Sequence, residues 1–317
     1  MRTIRLGLGV FLFLLSFASA SLAAGTLTRA FVSGKGLDSN PCTLASPCRT
    51  FAVAVPQTIS GGEVVVLDSA GYGPFSISQS VTVTAPQGVY AGITVGSAGG
   101  DGIDVNASSA SDFVTLKGLT VIGPGASTST GNGIAFNSGA ALHIENCDVR
   151  GFNIDILANL CAQLFIKDTV VKDSHFAGID VTMVATGNSW ATLDHISATN
   201  CGTNGVLATL SGAGLFLNAQ IRDSTISGNS NGLVVNGLNN AIATFDVANC
   251  QITNGTVGIQ ALASGGGSGT MSIGNTLISH NSTAGFIING GTIQSLGTNT
   301  IIGNGPDTGS MMHFAAQ

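Results

Sequence analysis

The phrase "NSNGLVVNG", residues 229–237, returns along the chain as "GNGIAFNSG", "FAGIDVTM", "GTNGVLATL", "TVGIQALAS" and "TAGFIINGG". Aligned on the Gly ahead of the apolar alternation, the copies put Gly102, Gly133, Gly178, Gly205, Gly232, Gly258 and Gly285 in one column, with Asn153 in the same slot. From Gly178 onward the interval is nearly constant. A fixed period of this size, about 27 residues, marks a solenoid, in which each repeat buries its apolar face only against its neighbours. Gly and Asn enter the left-handed backbone region at least cost, so the column reads as a corner.

A second column runs through "IENCDV", "IKDTVV", "LDHIS", "IRDSTI", "VANCQI" and "IGNTLI". Its shared Asn146, Asp168, Asp194, Asp223, Asn249 and Asn275 each stand between two short runs of alternating apolar and polar residues, the period of a strand. Every repeat thus holds about three short strands joined by corners. Leucine-rich repeats have a similar period but need a Leu framework, which this chain lacks. The fold class is all-β: a single right-handed parallel β-helix whose coils rise about 4.8 Å each.

In that geometry the Asn/Asp column is a structural ladder, each side chain bonding its own turn and the next coil. Ile179 and Val181 point inward while Asp180 points out, and Val206 and Leu233 repeat the inward position. Cys147 and Cys250 share an inward slot with Thr169, His195, Ser224 and Thr276, four coils apart. That is about 19 Å, beyond disulfide range, so both are buried thiols. Cys161 and Cys201 are left unpaired.

The first residues need separate treatment. Arg2 and Arg5, the apolar stretch from Leu6 to Phe17 and small residues ending at Ala24 form a secretory signal peptide over 1–24. Residues 25–62 are read as an N-terminal strand, a Cys loop and a capping helix in "SPCRTFAVAVPQTIS". Residues 63–305 are the β-helix, and 306–317 a C-terminal cap in which Met311, Met312 and Phe314 fold over the last coil. In an oxidising compartment, "PCTLASPC" closes as a Cys42–Cys48 disulfide. Only 8% of residues are charged and the net charge is −6, which removes the electrostatic drive toward nucleic acid. No second apolar run is long enough to span a membrane.

"FVSGKGLDSNPCTLASPCRTF" followed by "GGEVVVLDSAGYGPFSI" resembles the N-terminal region of secreted right-handed β-helix proteins of the pectin-lyase-like superfamily, an uncharacterised bacterial group among them. The resemblance implies the fold over nearly the whole mature chain. It also implies enzymes acting on acidic polysaccharides, whose marks are missing. The Asn-Thr-Asp, Asp-Asp, Gly-His-Gly and Arg-Ile-Lys motifs of the hydrolases do not occur, and "ATLDHIS" matches the lyase motif Trp-Ile-Asp-His only at Asp194 and His195. Asp194 already belongs to the ladder, and His195 is read as a satisfied core histidine. "GGDGIDVN" at 99–106 touches a calcium-binding nonapeptide, but such motifs work in tandem and this one stands alone.

One constellation carries chemistry. After the Gly column, Asp104, Asp155 and Asp180 are the outward residues of "GIDV", "NIDI" and "GIDV". On successive coils, Asp155 and Asp180 would lie about 5 Å apart, close enough to share a calcium ion or serve as a retaining glycosidase pair. Aromatic residues for a sugar platform are few: Trp190 is placed near a corner, and Tyr72 and Tyr90 in the first coils. The expected function is an exported, noncatalytic surface or extracellular protein that binds carbohydrate or builds structure. Its partner is then an extracellular polysaccharide or a cell-surface component. The alternative is a polysaccharide lyase or glycoside hydrolase centred on Asp155 and Asp180. No resident cofactor or metal is expected apart from that calcium.

Overall fold

The computed structural model describes residues 25–96, 99–125, 131–159, 163–182 and 187–314, so the signal peptide and Cys161 lie outside the described residues. Each coil gives one strand to each of three parallel sheets, which hold twelve, ten and nine strands. One coil runs Gly187–Asp194 in sheet 1, Ser197–Thr199 in sheet 2 and Asn204–Ser211 in sheet 3. Leu215–Arg222 then opens the next coil, paired in register on Gly187–Asp194. Strand alternation sends every second side chain inward, where identical positions stack. Ile179, Val206, Leu233 and Ile259 form one such row with no solvent exposure.

The sheet 1 to sheet 2 corner is left-handed. Asn146, Asp168, His195, Asp223, Asn249 and Asn275 occupy it with φ between 47° and 56°. Asp194 is therefore not in the ladder: it ends the preceding strand, and His195 takes the corner. The inward slot expected for His195 is filled by Ile196, beside Ser224 and in line with Cys147, Thr169, Cys250 and Thr276. His195 is exposed rather than a core histidine. The ladder itself forms at solvent, where Asn249 Nδ2 donates to Asp223 Oδ1 at 3.1 Å and Asn275 Nδ2 to Asn249 Oδ1 at 2.7 Å.

A second, buried asparagine column sits at the turn between sheets 2 and 3. Asn229 Oδ1 accepts from Cys201 N at 2.8 Å while its Nδ2 donates to Ala198 O at 3.0 Å. Asn281 does the same with Gly255 N and Ile252 O, and Asn304 continues the row by accepting from Asn281 N. Each amide satisfies backbone groups that the buried turn would otherwise orphan.

The Gly column is not a left-handed corner, because none of its glycines has positive φ. Crowding explains it. A Cβ on Gly205 would sit 2.7 Å from Gly232 O, 2.6 Å from Ile226 Cγ2 and 2.8 Å from Asn229 Nδ2. Gly102 and Gly178 would strike Gly133 O and Gly205 O in the same way. The slot faces the interior, where at these glycines the neighbouring coil approaches too closely for a Cβ.

At the N-terminus the disulfide Cys42–Cys48 is present, with Cα atoms 4.6 Å apart. A short helix, Phe51–Gln57, buries Phe51, Ala54 and Val55. Phe51 packs its ring 5.2 Å from Tyr72 and 4.8 Å from Phe75, tying the helix to the first coil. Asp38 accepts from Arg49 N and Thr50 N and so fixes the chain entering the helix. At the other end Met311 packs against the core, and Met312–His313 pairs as a strand on the last coil of sheet 1, with the Met312 and Phe314 side chains exposed. Among the described residues no helix is long and apolar enough to cross a membrane.

Candidate functional site

The three acids singled out from sequence do not assemble. Asp180 pairs in register with Leu157, and Leu157 with Ala135, which pairs with Asp104. Asp104 and Asp180 thus share an outward column but stand three coils, about 14 Å, apart. Asp155 has left that column. The coils around it are short, so the register sets Asp155 between Gly133 and Gly178, in the inward Gly slot that the repeat assigns to Asn153. It is fully buried; Phe152 N donates to its Oδ1 at 3.3 Å, and its Oδ2 has no partner among the described residues. Asp155 and Asp180 therefore neither share a calcium ion nor form a glycosidase pair.

Burial governs the protonation of all three. Desolvation lifts Asp155 well above the usual carboxylate range, and Asp173 and Asp148 add to the rise. Asp180 is 5% exposed and is pushed up to about 6 by desolvation, with the Thr182 hydroxyl acting in the opposite direction. Asp104 also rises to about 6, through desolvation and then the neighbouring Asp101. The outward row of sheet 3 around them carries Ala135, Leu207 and Val234, all nearly buried. It offers little open polar surface.

Sheet 1 presents a different face. Its strands in the middle coils run up to eight residues and send Asn188, Trp190, Thr192 and Asp194 outward, then Phe216, Asn218, Gln220 and Arg222, then Ile242, Thr244, Asp246 and Ala248. Trp190 is mid-strand, not near a corner, and is 48% exposed. Phe216 and Ile242 are directly paired one coil apart and are 42% and 41% exposed. With Asn188, Asn218 and Thr244 they line a hollow of about 240 Å³. The bed is apolar, and its rim is made of amides and hydroxyls.

Toward the left-handed corner the same face becomes charged. Lys117, Glu145, Lys167, Asp194 and Arg222 occupy one column on successive coils, alternating in sign. Lys117 Nζ lies 2.9 Å from Glu145, and Arg222 Nη2 lies 3.1 Å from Asp194. Asp194 also accepts a 2.7 Å contact from His195 Nδ1; although burial tends to raise its carboxyl, the His195 and Arg222 contacts hold it below the usual range. Next to this column His143 stacks on Phe165 with centroids 4.5 Å apart, and burial lowers the His143 pKa. His143, Phe165, Glu145, Lys167, Asp194 and Arg222 line a hollow of about 280 Å³. A third hollow, about 300 Å³, opens where the column shrinks to Ala248 and Gly274 and is bounded by Arg222 and Leu296.

Both carboxylates of the charged column are thus occupied by cations, and the face offers hydrogen-bond donors and acceptors around apolar beds rather than a free acid–base pair. Asp194, His195 and Asp223 bring one ligand atom each within 4.8 Å, a spacing that a metal ion could use. Asp194 is already engaged by Arg222 there, and the group sits at an exposed corner. Sequence reasoning missed the sheet 1 face because it searched the strand after the Gly column. The alternation in "GNSWATLD" and "LFLNAQIR" was the available signal, since it places Trp190 and Phe216 outward.

The family described as "Right handed beta helix region" matches residues 94–269. Among solved structures, pectate lyase Pel9A superposes with a TM-score of 0.56 at 14% identity, over 92% of this chain and 79% of its own. The enzymatically active domain of tailspike protein 2 of bacteriophage CBA120 gives 0.57 at 13% identity. That match covers 83% of this chain and 43% of the tailspike chain, so this protein spans less than half of it. At such identities the likeness is one of fold. No curated protein matches the sequence.

Proposed function

The chain belongs to the right-handed β-helix family, and from its exposed sheet we propose that it is an exported, noncatalytic protein of the pectin-lyase-like superfamily that binds carbohydrate on the outward face of sheet 1. The observation that carries this reading is the exposed Trp190, Phe216 and Ile242 bed, rimmed by Asn188, Asn218 and Thr244. A sugar ring presents an apolar face and a circle of hydroxyls, so it is served by a flat apolar platform with hydrogen-bonding groups at its edge. Residues 1–24 would direct export, and residues 25–62 would close the N-terminal end of a helix formed by 63–305, with 306–317 at the other end. A β-helix neighbour that is a pectate lyase is in keeping with a polysaccharide partner.

The alternative, a lyase or hydrolase on an acidic polysaccharide, loses the observation that favoured it, because Asp155 and Asp180 are not adjacent and Asp155 is sealed in the core. The test is a binding screen of the mature protein against immobilised polysaccharides, with Trp190→Ala alongside and new reducing or unsaturated ends measured in the same samples. Binding without cleavage, weakened at least about tenfold by Trp190→Ala, is the expected result. Cleavage abolished by Asp155→Asn or Asp180→Asn in a folded protein would restore the enzyme reading.

A further inference from the structure

The hollow beneath Trp190 and the hollow beside Leu296 belong to one trough. The first is bounded by Asn218 and Thr244, the second by Gln220 and Asp246, and each pair is separated by only two residues on a shared strand. From Trp190 the open surface passes obliquely over Gln220 and Asp246 to the gap left by Ala248 and Gly274, and ends at Leu296, 45% exposed. That path climbs four coils and crosses four residue positions along the strands, so it is roughly 23 Å long. A single sugar covers only a fraction of it.

The charges beside the trough nearly cancel. Arg222 is spent on Asp194 and Lys117 on Glu145, Lys167 and Asp246 contribute one charge of each sign, and Asp223 at the corner adds one negative charge; burial lowers the His143 pKa. The face therefore carries at most a small negative charge on a chain whose net charge is −6. An anionic chain would find no net attraction here, and a basic peptide very little. The floor alternates apolar patches, at Trp190 and Phe216 and again at Ala248, Gly274 and Leu296, with the amides and hydroxyls of Asn218, Gln220, Thr244 and Ser272. Each coil advances about 4.8 Å, close to the advance of one sugar in an extended linear chain.

We propose that sheet 1 holds an internal stretch of an extended, uncharged polysaccharide, about four or five sugars long, laid obliquely from Trp190 to Leu296. This rests on the carbohydrate reading above and adds to it the ligand's class, length and path. The Ala248–Gly274–Leu296 hollow becomes the distal subsite.

The test is calorimetric titration of the mature protein with cello-, xylo-, manno- and chito-oligosaccharides of two to eight units, and with oligogalacturonates, at low and high salt. Three proteins are compared: the unaltered chain, Trp190→Ala, and Ala248→Trp, which fills the distal hollow from an exposed position without touching the platform. Affinity in at least one neutral series should rise at least about tenfold from disaccharide to pentasaccharide, plateau there, and change little with salt. Ala248→Trp should leave disaccharide binding intact and remove the gain with length, whereas Trp190→Ala should weaken every length. A plateau at two or three sugars, unmoved by Ala248→Trp, overturns the trough and leaves the platform reading standing. Preference for oligogalacturonates, falling steeply with salt, overturns the uncharged class. Failure of every series to bind overturns both readings.

Discussion

Gly205 offers a direct test of why one column of the repeat is glycine. If the slot were a left-handed corner, Asn would serve there nearly as well as Gly, and Ala would carry only backbone strain. The structure requires something else. The backbone at Gly205 has no positive φ, so Ala fits its conformation, but the added carbon would lie 2.7 Å from Gly232 O and 2.8 Å from Asn229 Nδ2. Ordinary carbon contacts begin near about 3.5 Å, so neighbouring coils must part by the better part of an ångström. Overpacking of this kind costs about 1–3 kcal/mol. Asn229 is also the amide that satisfies Cys201 N and Ala198 O, and disturbing it adds roughly 1 kcal/mol per weakened bond. Gly205→Ala should therefore lose about 2–4 kcal/mol, and Gly205→Asn at least as much, read as a lower urea midpoint followed by far-ultraviolet circular dichroism. Wild-type stability in Gly205→Asn, with Ala worse than Asn, would refute the crowding argument and restore the corner.

Two other perturbations follow from the same structure. Asp155, Asp180 and Asp104 all have folded-state pKa values raised above the usual 3.8, so their contribution is fully present below that value and is lost as pH rises through the folded pKa, about 6 for the latter two. The melting temperature should thus fall between about pH 4 and pH 6, with Asp155 carrying the fall to higher pH, and Asp155→Asn, which cannot ionise, should flatten that slope; an unchanged slope would mean that Asp155 is not held protonated. Cys42 and Cys48 close a short loop between the first strand and the helix, and replacing both with Ser should cost about 2 kcal/mol of stability, measured by the same urea titration, with no added effect of reductant on the variant.

Much of the architecture is local information. Strand alternation and a nearly constant repeat spacing are read from the chain itself, and they suffice for coils, an aliphatic core and the corners at Asn146, Asp168, Asp223, Asn249 and Asn275, whose left-handed backbone the sequence pattern assigns to the Gly column instead. The same reasoning slipped where the pattern was ambiguous by one residue. In "LDHIS" either Asp194 or His195 could turn the corner, and only pairing of Lys167 with Asp194 and of Asp194 with Arg222 places Asp194 on the strand. Asp155 shows the larger failure. Alternation says that it points outward, but the coil at 133–155 is short, its register moves by two, and the slot it enters faces the core.

The candidate site was less legible because exposure is a property of neighbours. Alternation marks Trp190 and Asp180 alike as outward, yet one is half exposed and the other nearly buried. By itself the sequence determined the fold class, the coil, the disulfide and the absence of a dense charge pattern, since each rests on residue type and spacing along the chain. Only the tertiary structure decided which face is open, which carboxylates meet, and that the glycines yield room rather than curvature. Those depend on the distance between one coil and the next, which is set by side chains a full turn of the solenoid away along the chain.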